Sequence, residues 1–295
     1  MPQFTKTISF LLLFLSANLF VTSDSSAQQT ATEEATNKTT QIYKTVGERK
    51  LRIHISKPVD WKATDSRPAV LFFHGGGWTG GKPGQFDPHC VHLTSRGMVC
   101  FQVEYRLLKK KKTANSDSTP TICIRDAKSA MRWVRSRAKE LGIDADRIGS
   151  GGGSAGGHLA AFLGTTDGTD DPKDDTSVSA RSNLMLLFNP VYNNGPGEWG
   201  ASRVGNRYQE FSPAHNISSD DAPSIVFLGS EDKLIPISVG QAFQNEMKAK
   251  GVRSDLRLYG GAGHGFFNQD KEGGKWFAMT IEEMDEFLVS HGWLE

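Results

Sequence analysis

Four short segments carry side chains or backbone groups that could do chemistry together. In Gly152-Gly153-Ser154-Ala155-Gly156-Gly157 a serine stands among glycines, after an apolar run and before a helix-forming stretch. Glycines on both sides remove the side chains that would clash where a backbone doubles back. The pattern therefore predicts a strained strand-to-helix turn that exposes the Ser154 hydroxyl. A hydroxyl becomes a useful nucleophile only when a base takes its proton. His264, in Gly261-Ala262-Gly263-His264-Gly265-Phe266, offers the base, and Glu231-Asp232, after the apolar run Ser224 to Leu228, offers an acid to orient it. The fourth segment, His74-Gly75-Gly76-Gly77-Trp78, follows the apolar run Ala69 to Phe73. Acyl transfer builds negative charge on a carbonyl oxygen, and N–H groups in a run of glycines can converge on that oxygen unobstructed.

Each segment follows a strand-like run, so the elements that must hold them can be read from periodicity. Strands are predicted at Leu51–Ile55, Val70–Phe73, Val99–Glu104, Arg147–Ser150, Leu184–Phe188, Ile225–Leu228 and Leu256–Tyr259. Helical patterns separate the later strands. The clearest runs from Thr121 to Leu141, with Ala127, Ala130, Val134, Ala138 and Leu141 on one face and Arg132, Arg135, Arg137 and Lys139 on an expected solvated face. Two more amphipathic helices are expected at Ile237–Lys250 and Trp276–Val289. Alternating strands and helices imply an α/β fold with a mostly parallel central sheet flanked by helices.

With these motifs in view the chain resembles the α/β-hydrolase superfamily, and within it the hormone-sensitive-lipase-like and acetylxylan-esterase-like esterases. HGGGW and GGSAGG carry the resemblance, in the chain order Ser154, Asp232, His264 that the fold imposes. Val103 to Leu107, Asp126 and Asp144 to Ile148 support it, and the similarity spans Tyr43 to Glu295. It implies Ser154 as nucleophile, His264 as general acid and base, and Asp232 rather than its neighbour Glu231 as the orienting carboxylate. It further implies an oxyanion hole from the N–H groups of Gly76, Gly77 and Ala155. Two departures stand out: Gly149 to Gly153 is richer in glycine than the usual elbow strand, and no large cap domain is expected, which implies an open site. The implied activity is hydrolysis of short-chain (acetyl) carboxylic esters through an acyl-enzyme, with acetylated polysaccharide such as xylan as a candidate substrate. An amidase or peptidase of the same fold (formamidase-like or prolyl-oligopeptidase-like) and a non-catalytic binding relative remain as alternatives. The reaction implies no cofactor and no metal.

The 295 residues suffice for one catalytic domain, and a formal charge of +1 gives no electrostatic pointer to nucleic acid. Lys6, the apolar stretch Ile8 to Val21 and Ser25-Ser26-Ala27 read as a cleavable signal peptide over residues 1–27, implying a secreted or periplasmic protein without stable membrane insertion after cleavage. Residues 28–41, lacking periodic apolar positions, are expected to be a disordered linker, with the catalytic domain at 42–295. Cys90, Cys100 and Cys123 allow at most one internal bridge, and Cys100 is expected as a small buried hydrophobe. Oligomeric state is not encoded legibly.

Other features have ordinary readings. His89 and His92 lie three apart on an expected helix, but further metal ligands are missing, so they read as surface histidines. The run Lys109 to Lys112 reads as a solvated loop, with an acidic polysaccharide as its sharper reading. Asn189 to Asp221 is long enough for a binding loop or lid, and Trp78 and Trp199 are candidate substrate-binding walls. His158 follows the elbow and reads as a packing residue, a poorer base than His264.

Overall fold

The computed structural model describes Met1 and residues 37–109 and 118–295. The expected signal peptide, most of the expected linker and Lys110 to Lys112 lie outside the described residues. Eight strands form one sheet: β1 (Asn37–Val46), β2 (Arg49–Lys57), β3 (Arg67–Phe73), β4 (Val99–Val103), β5 (Ile143–Gly153), β6 (Met185–Phe188), β7 (Ser224–Gly229) and β8 (Ser254–Tyr259). Their order is β1-β2-β4-β3-β5-β6-β7-β8. From β4 to β8 every neighbouring pair is parallel, while β1–β2 and β2–β4 are antiparallel. Helices α1 (Asp87–Ser95), α2 (Thr121–Ser136), α3 (Ala138–Leu141), α4 (Ala155–Thr165), α5 (Ala201–Val204), α6 (Tyr208–Phe211), α7 (Ile237–Ala249) and α8 (Lys275–Ser290) complete the chain.

The strands alternate between two apolar layers, as the two-residue period requires of a sheet covered on both faces. Ala69, Leu71 and Phe73 of β3 join Val226 and Leu228 of β7 in the layer that α2, α4 and α7 cover. Val70 and Phe72 join Ile225 and Phe227 in the opposite layer, under α1 and α8. The extra glycines of β5 have a packing reason. A methyl group at Gly153 would overlap the Phe267 ring, and one at Gly149 would stand 3.2 Å from Trp293. Aromatic rings lie directly on this strand, so side chains there would push them away.

Three expectations need correction. Asn37 to Gln41 belong to β1 and not to a linker: they pair with β2 as an edge strand. That strand buries only Tyr43 among its described side chains, so it lacks the apolar alternation by which strands are recognised. The long helix ends at Ser136 and resumes at Ala138. Its basic face is not uniformly solvated. Arg132 is buried, donating to Asp174 Oδ2 at 3.0 Å and to the Val178 carbonyl at 2.9 Å, and Lys128 pairs with Asp170 at 2.9 Å. These cations fasten the acidic loop after α4.

Candidate active site

Parallel strands deliver their following loops to one edge of the sheet, and all four chemical segments emerge there. Ser154 lies at the β5–α4 junction with φ +53° and ψ −118°, a region that a non-glycine residue rarely enters. Its backbone is held in that conformation from two sides: its N–H donates to the Phe188 carbonyl at 3.0 Å, and its carbonyl accepts from Val191 N–H at 3.1 Å. The helix can start this close because residue 156 is glycine; any Cβ there would overlap the Phe73 carbonyl.

The strained turn aims Ser154 Oγ at His264 Nε2, 2.9 Å away, and His264 Nδ1 stands 2.7 Å from Asp232 Oδ2. Asp232 Oδ1 in turn accepts the N–H groups of Leu234 at 2.8 Å and Ile235 at 3.0 Å. Burial is the largest influence on the Asp232 carboxyl and pushes its pKa up. The hydrogen bond from His264, those from the two backbone N–H groups and the His264 charge together outweigh it and hold the group below the usual carboxylate range. Asp232 thus stays ionised and accepts at both oxygens, which assigns the hydrogen of the neutral imidazole to Nδ1 and leaves Nε2 free to take a proton. Glu231 is exposed at the surface, so geometry separates the two adjacent acids.

The oxyanion loop leads from β3 past Ser154. The Gly75 N–H is taken by Gln85 Oε1 at 2.7 Å, whereas among the described residues no acceptor holds the N–H groups of Gly76 and Gly77. Ala155 begins α4, where the first N–H groups of a helix have no partner within it. Gly76 and Gly77 have φ of +116° and +61°, and a Cβ at Gly76 would overlap the Gly80 carbonyl. A side chain at either position would strain the loop.

Trp78 requires a correction. It is fully buried, its ring centroid 5.0 Å from His158 and 5.2 Å from Trp199, so it cannot present a face to substrate. It underpins Trp199, which is only partly buried and lies within van der Waals reach of the Cβ position of Gly77. Of the two tryptophans, Trp199 is the one at the site. His158 is buried, with Nε2 2.7 Å from the Phe211 carbonyl, and desolvation lowers its pKa to about 4 despite that bond. His89 is not on the surface either. It is enclosed by the rings of Phe86, Phe188, Phe267 and Phe277, and desolvation lowers its pKa to about 3. His92 pairs with Asp285 at 2.9 Å. Among the described residues no group of three or more His, Cys, Asp or Glu could hold a metal ion, and the three cysteines are buried and free.

Three polar residues at the site escaped sequence reasoning. Asn189, at the end of β6 with φ +35°, accepts the Gly265 N–H on Oδ1 at 3.0 Å and brings Nδ2 to 3.4 Å from His264 Nε2. Gln85 Nε2 donates to Asn268 Oδ1 at 3.0 Å, and Asn268 Nδ2 donates to the Gly265 carbonyl at 2.7 Å. Gln85 and Asn268 therefore tie the oxyanion loop to the histidine loop. The only available signal was Asn189's place just past a predicted strand.

The chain is similar to known esterases in sequence and in fold. A family model described as BD-FAE matches residues 54–187, and the dienelactone hydrolase family model matches residues 205–288. The structure superposes on esterase 2 of Thermogutta terrifontis in its apo form with a TM-score of 0.81 and 39% identity, over 88% of this chain and 96% of that one. That esterase is also known with propionate and with butyrate bound, and phosphorylated by paraoxon. The probable carboxylic ester hydrolase LipM of Mycobacterium tuberculosis is 27% identical over 64% of this chain, which spans 47% of LipM. The ethyl acetate hydrolase of Pseudomonas putida is 26% identical over 75% of this chain and 70% of its own length. This chain is thus a member of the α/β-hydrolase superfamily and belongs to its hormone-sensitive-lipase-like serine esterases, which are carboxylic ester hydrolases.

Proposed function

We propose that this protein hydrolyses short-chain carboxylic esters by two-step acyl transfer, with Ser154 as nucleophile, His264 as general base and then acid, and Asp232 as the group that orients and stabilises the imidazolium. The observation that carries the reading is the unbroken relay from Ser154 Oγ through His264 to Asp232, at 2.9 and 2.7 Å. As Oγ attacks the ester carbonyl, its proton passes to Nε2. The tetrahedral oxyanion is received by the N–H groups of Gly76, Gly77 and Ala155, each worth roughly 3 to 4 kcal/mol in such a hole. Collapse of this intermediate expels the alcohol, which takes the proton from Nε2 and leaves an acyl-enzyme. His264 then deprotonates a water that attacks the acyl carbonyl, and the second tetrahedral intermediate releases the acid and restores Ser154.

The acyl group is short. Trp199 over Gly77 crowds the space beside the oxyanion loop, and the relatives support the same preference: an ethyl acetate hydrolase, and an esterase with propionate and butyrate bound. The segment between β6 and β7 contributes only short helices, so a bulky alcohol is accommodated outside. A signal peptide at residues 1–27 would deliver the enzyme to where acetylated polysaccharide such as xylan is met.

The test is hydrolysis of p-nitrophenyl acetate, butyrate and octanoate beside acetate release from acetylated xylan. Rates falling with acyl length, together with acetate release, support the proposal. Ester cleavage without acetate release removes the polysaccharide, and absence of turnover on every ester removes the esterase.

A further inference from the structure

The catalytic edge of the sheet has a second concavity beside the oxyanion loop. Its volume is about 530 Å³, and it is bordered by His74, Gly81 and Lys82 of that loop, by Glu104 past the end of β4, and by Glu48, Arg49, Lys50 and Arg52 of the β1–β2 hairpin. Topology explains why the hairpin is there. β2 runs antiparallel to β4, so the start of β2 lies against the end of β4, where Glu104 N–H donates to the Arg52 carbonyl at 3.0 Å. The beginning of β2 thus shares an edge with the end of β5, three strands away, or about 14 Å at roughly 4.8 Å per strand.

The charges in this cavity do not cancel. Glu104 faces Arg52 at 3.9 Å and also accepts the Arg52 N–H at 3.1 Å, so those two groups compensate one another. Arg49, Lys50 and Lys82 are exposed and form no ion pair among the described residues, which leaves three cations against the carboxylate of Glu48. By contrast, Lys38, Lys44 and Arg67, which flank the same sheet, each hold an aspartate. At the back of the cavity, His74 is buried and its Nδ1 lies 2.8 Å from the Gly75 carbonyl. An Nδ1–H serves that contact, leaving Nε2 as the acceptor of the ring. Unpaired cations around a ring acceptor are the groups that would meet a carboxylate and its neighbouring hydroxyls.

We propose that this cavity is a subsite for a uronate carboxylate carried on the alcohol side of a polysaccharide ester, a few sugar units from the acyl group being removed. The proposal rests on the polysaccharide reading above and narrows it to an acidic polymer. The alcohol side is favoured because the short acyl group proposed above cannot span the three strands between the end of β5 and the start of β2, whereas a polymeric alcohol can. A polymer is required because a small ester cannot reach both places. Since the contacts are remote from the reacting carbonyl and equal in ground and transition states, the subsite acts on KM and leaves kcat alone.

The triple variant Arg49→Gln/Lys50→Gln/Lys82→Gln alters only exposed side chains. Its kinetics are compared with the parent protein on acetylated glucuronoxylan, on the same polymer with its carboxyl groups reduced to alcohols, and on p-nitrophenyl acetate. The expected result is a KM about tenfold lower for the acidic polymer in the parent, lost in the variant and in high salt, with p-nitrophenyl acetate unchanged. Equal KM for the two polymers, or a preference that survives in the variant, overturns the proposal. Calorimetry of a deacetylated glucuronoxylan oligosaccharide with the Ser154→Ala and triple variants separates this from failure of the esterase reading, because it needs no turnover. Binding to the former and not to the latter sustains the subsite, while no binding to either, or equal binding of polyphosphate, overturns it.

Discussion

Phe267 divides two regions that treat the same side chain in opposite ways. At the catalytic edge His264 is partly exposed, with Asp232 at one nitrogen and Ser154 at the other. Behind it, in the layer under α1 and α8, His89 touches Phe267 at 6.0 Å between centroids, and neither of its nitrogens has a partner. An imidazole does proton chemistry at neutral pH where its charged form is compensated, and becomes an inert neutral ring where it is only desolvated. The difference is made by the neighbours and not by the residue.

The largest effect comes from removing the edge's nucleophile. Ser154→Ala, which keeps the backbone demand nearly unchanged, should lower kcat on p-nitrophenyl acetate by roughly a million-fold, by analogy with other serine hydrolases, while leaving the circular dichroism spectrum intact. Retained turnover would move the nucleophile elsewhere. Next comes Asp232→Asn. The two backbone N–H groups at Oδ1 hold the amide oxygen on their side, so the amide NH2 must face His264 Nδ1. That forces the hydrogen onto Nε2 and spoils the base, with an expected loss of about 10⁴ in kcat. A loss below tenfold would show that the tautomer is set by something other than Asp232.

A smaller change sharpens the comparison from the edge side. Asn189→Asp is nearly isosteric, tolerates the positive φ and keeps an acceptor for Gly265 N–H, but puts a carboxylate where the amide nitrogen now stands 3.4 Å from His264 Nε2. A negative charge there stabilises the imidazolium. The acid limb of the kcat/KM profile should move up by about one pH unit or more, so that at pH values well below the limb the activity falls about tenfold for each unit of displacement. An unmoved limb would limit Asn189 to holding the Gly265 loop.

Much of the edge could be read from the chain, because backbone doubling, oxyanion contacts and strand-to-loop transitions each demand glycine or an apolar run at fixed places. Gly156 under Phe73 and the positive φ of Gly76 are such demands made visible. Gln85, Asn189 and Asn268 were illegible, since a side-chain amide can serve almost any loop and only the fold brings residues 85 and 268 together. β1 was missed because an edge strand needs hydrogen bonds to β2 more than it needs apolar side chains. Trp78 and His89 failed for one shared reason: amphipathic rings look the same in sequence whether they end at a surface or inside a layer.

The inner region offers the smallest effect and the sharpest sign. With its pKa lowered to about 3 by burial, His89 is neutral in the folded protein, whereas in the unfolded chain it protonates near 6.5. The unfolded state therefore binds more protons below pH 6.5, and stability must fall as pH falls, by about 1.4 kcal/mol per pH unit from this one group until about pH 3. Above pH 6.5 the contribution is constant. His89→Phe abolishes the titration and removes two unpaired ring nitrogens from an aromatic cage. Urea unfolding should show a gain of about 1 kcal/mol at pH 7, widening at pH 5, with kcat on p-nitrophenyl acetate unchanged. If the two proteins lost stability in parallel between pH 7 and 5, His89 would have to find a proton partner that the cage does not contain, and the contrast with His264 would fall.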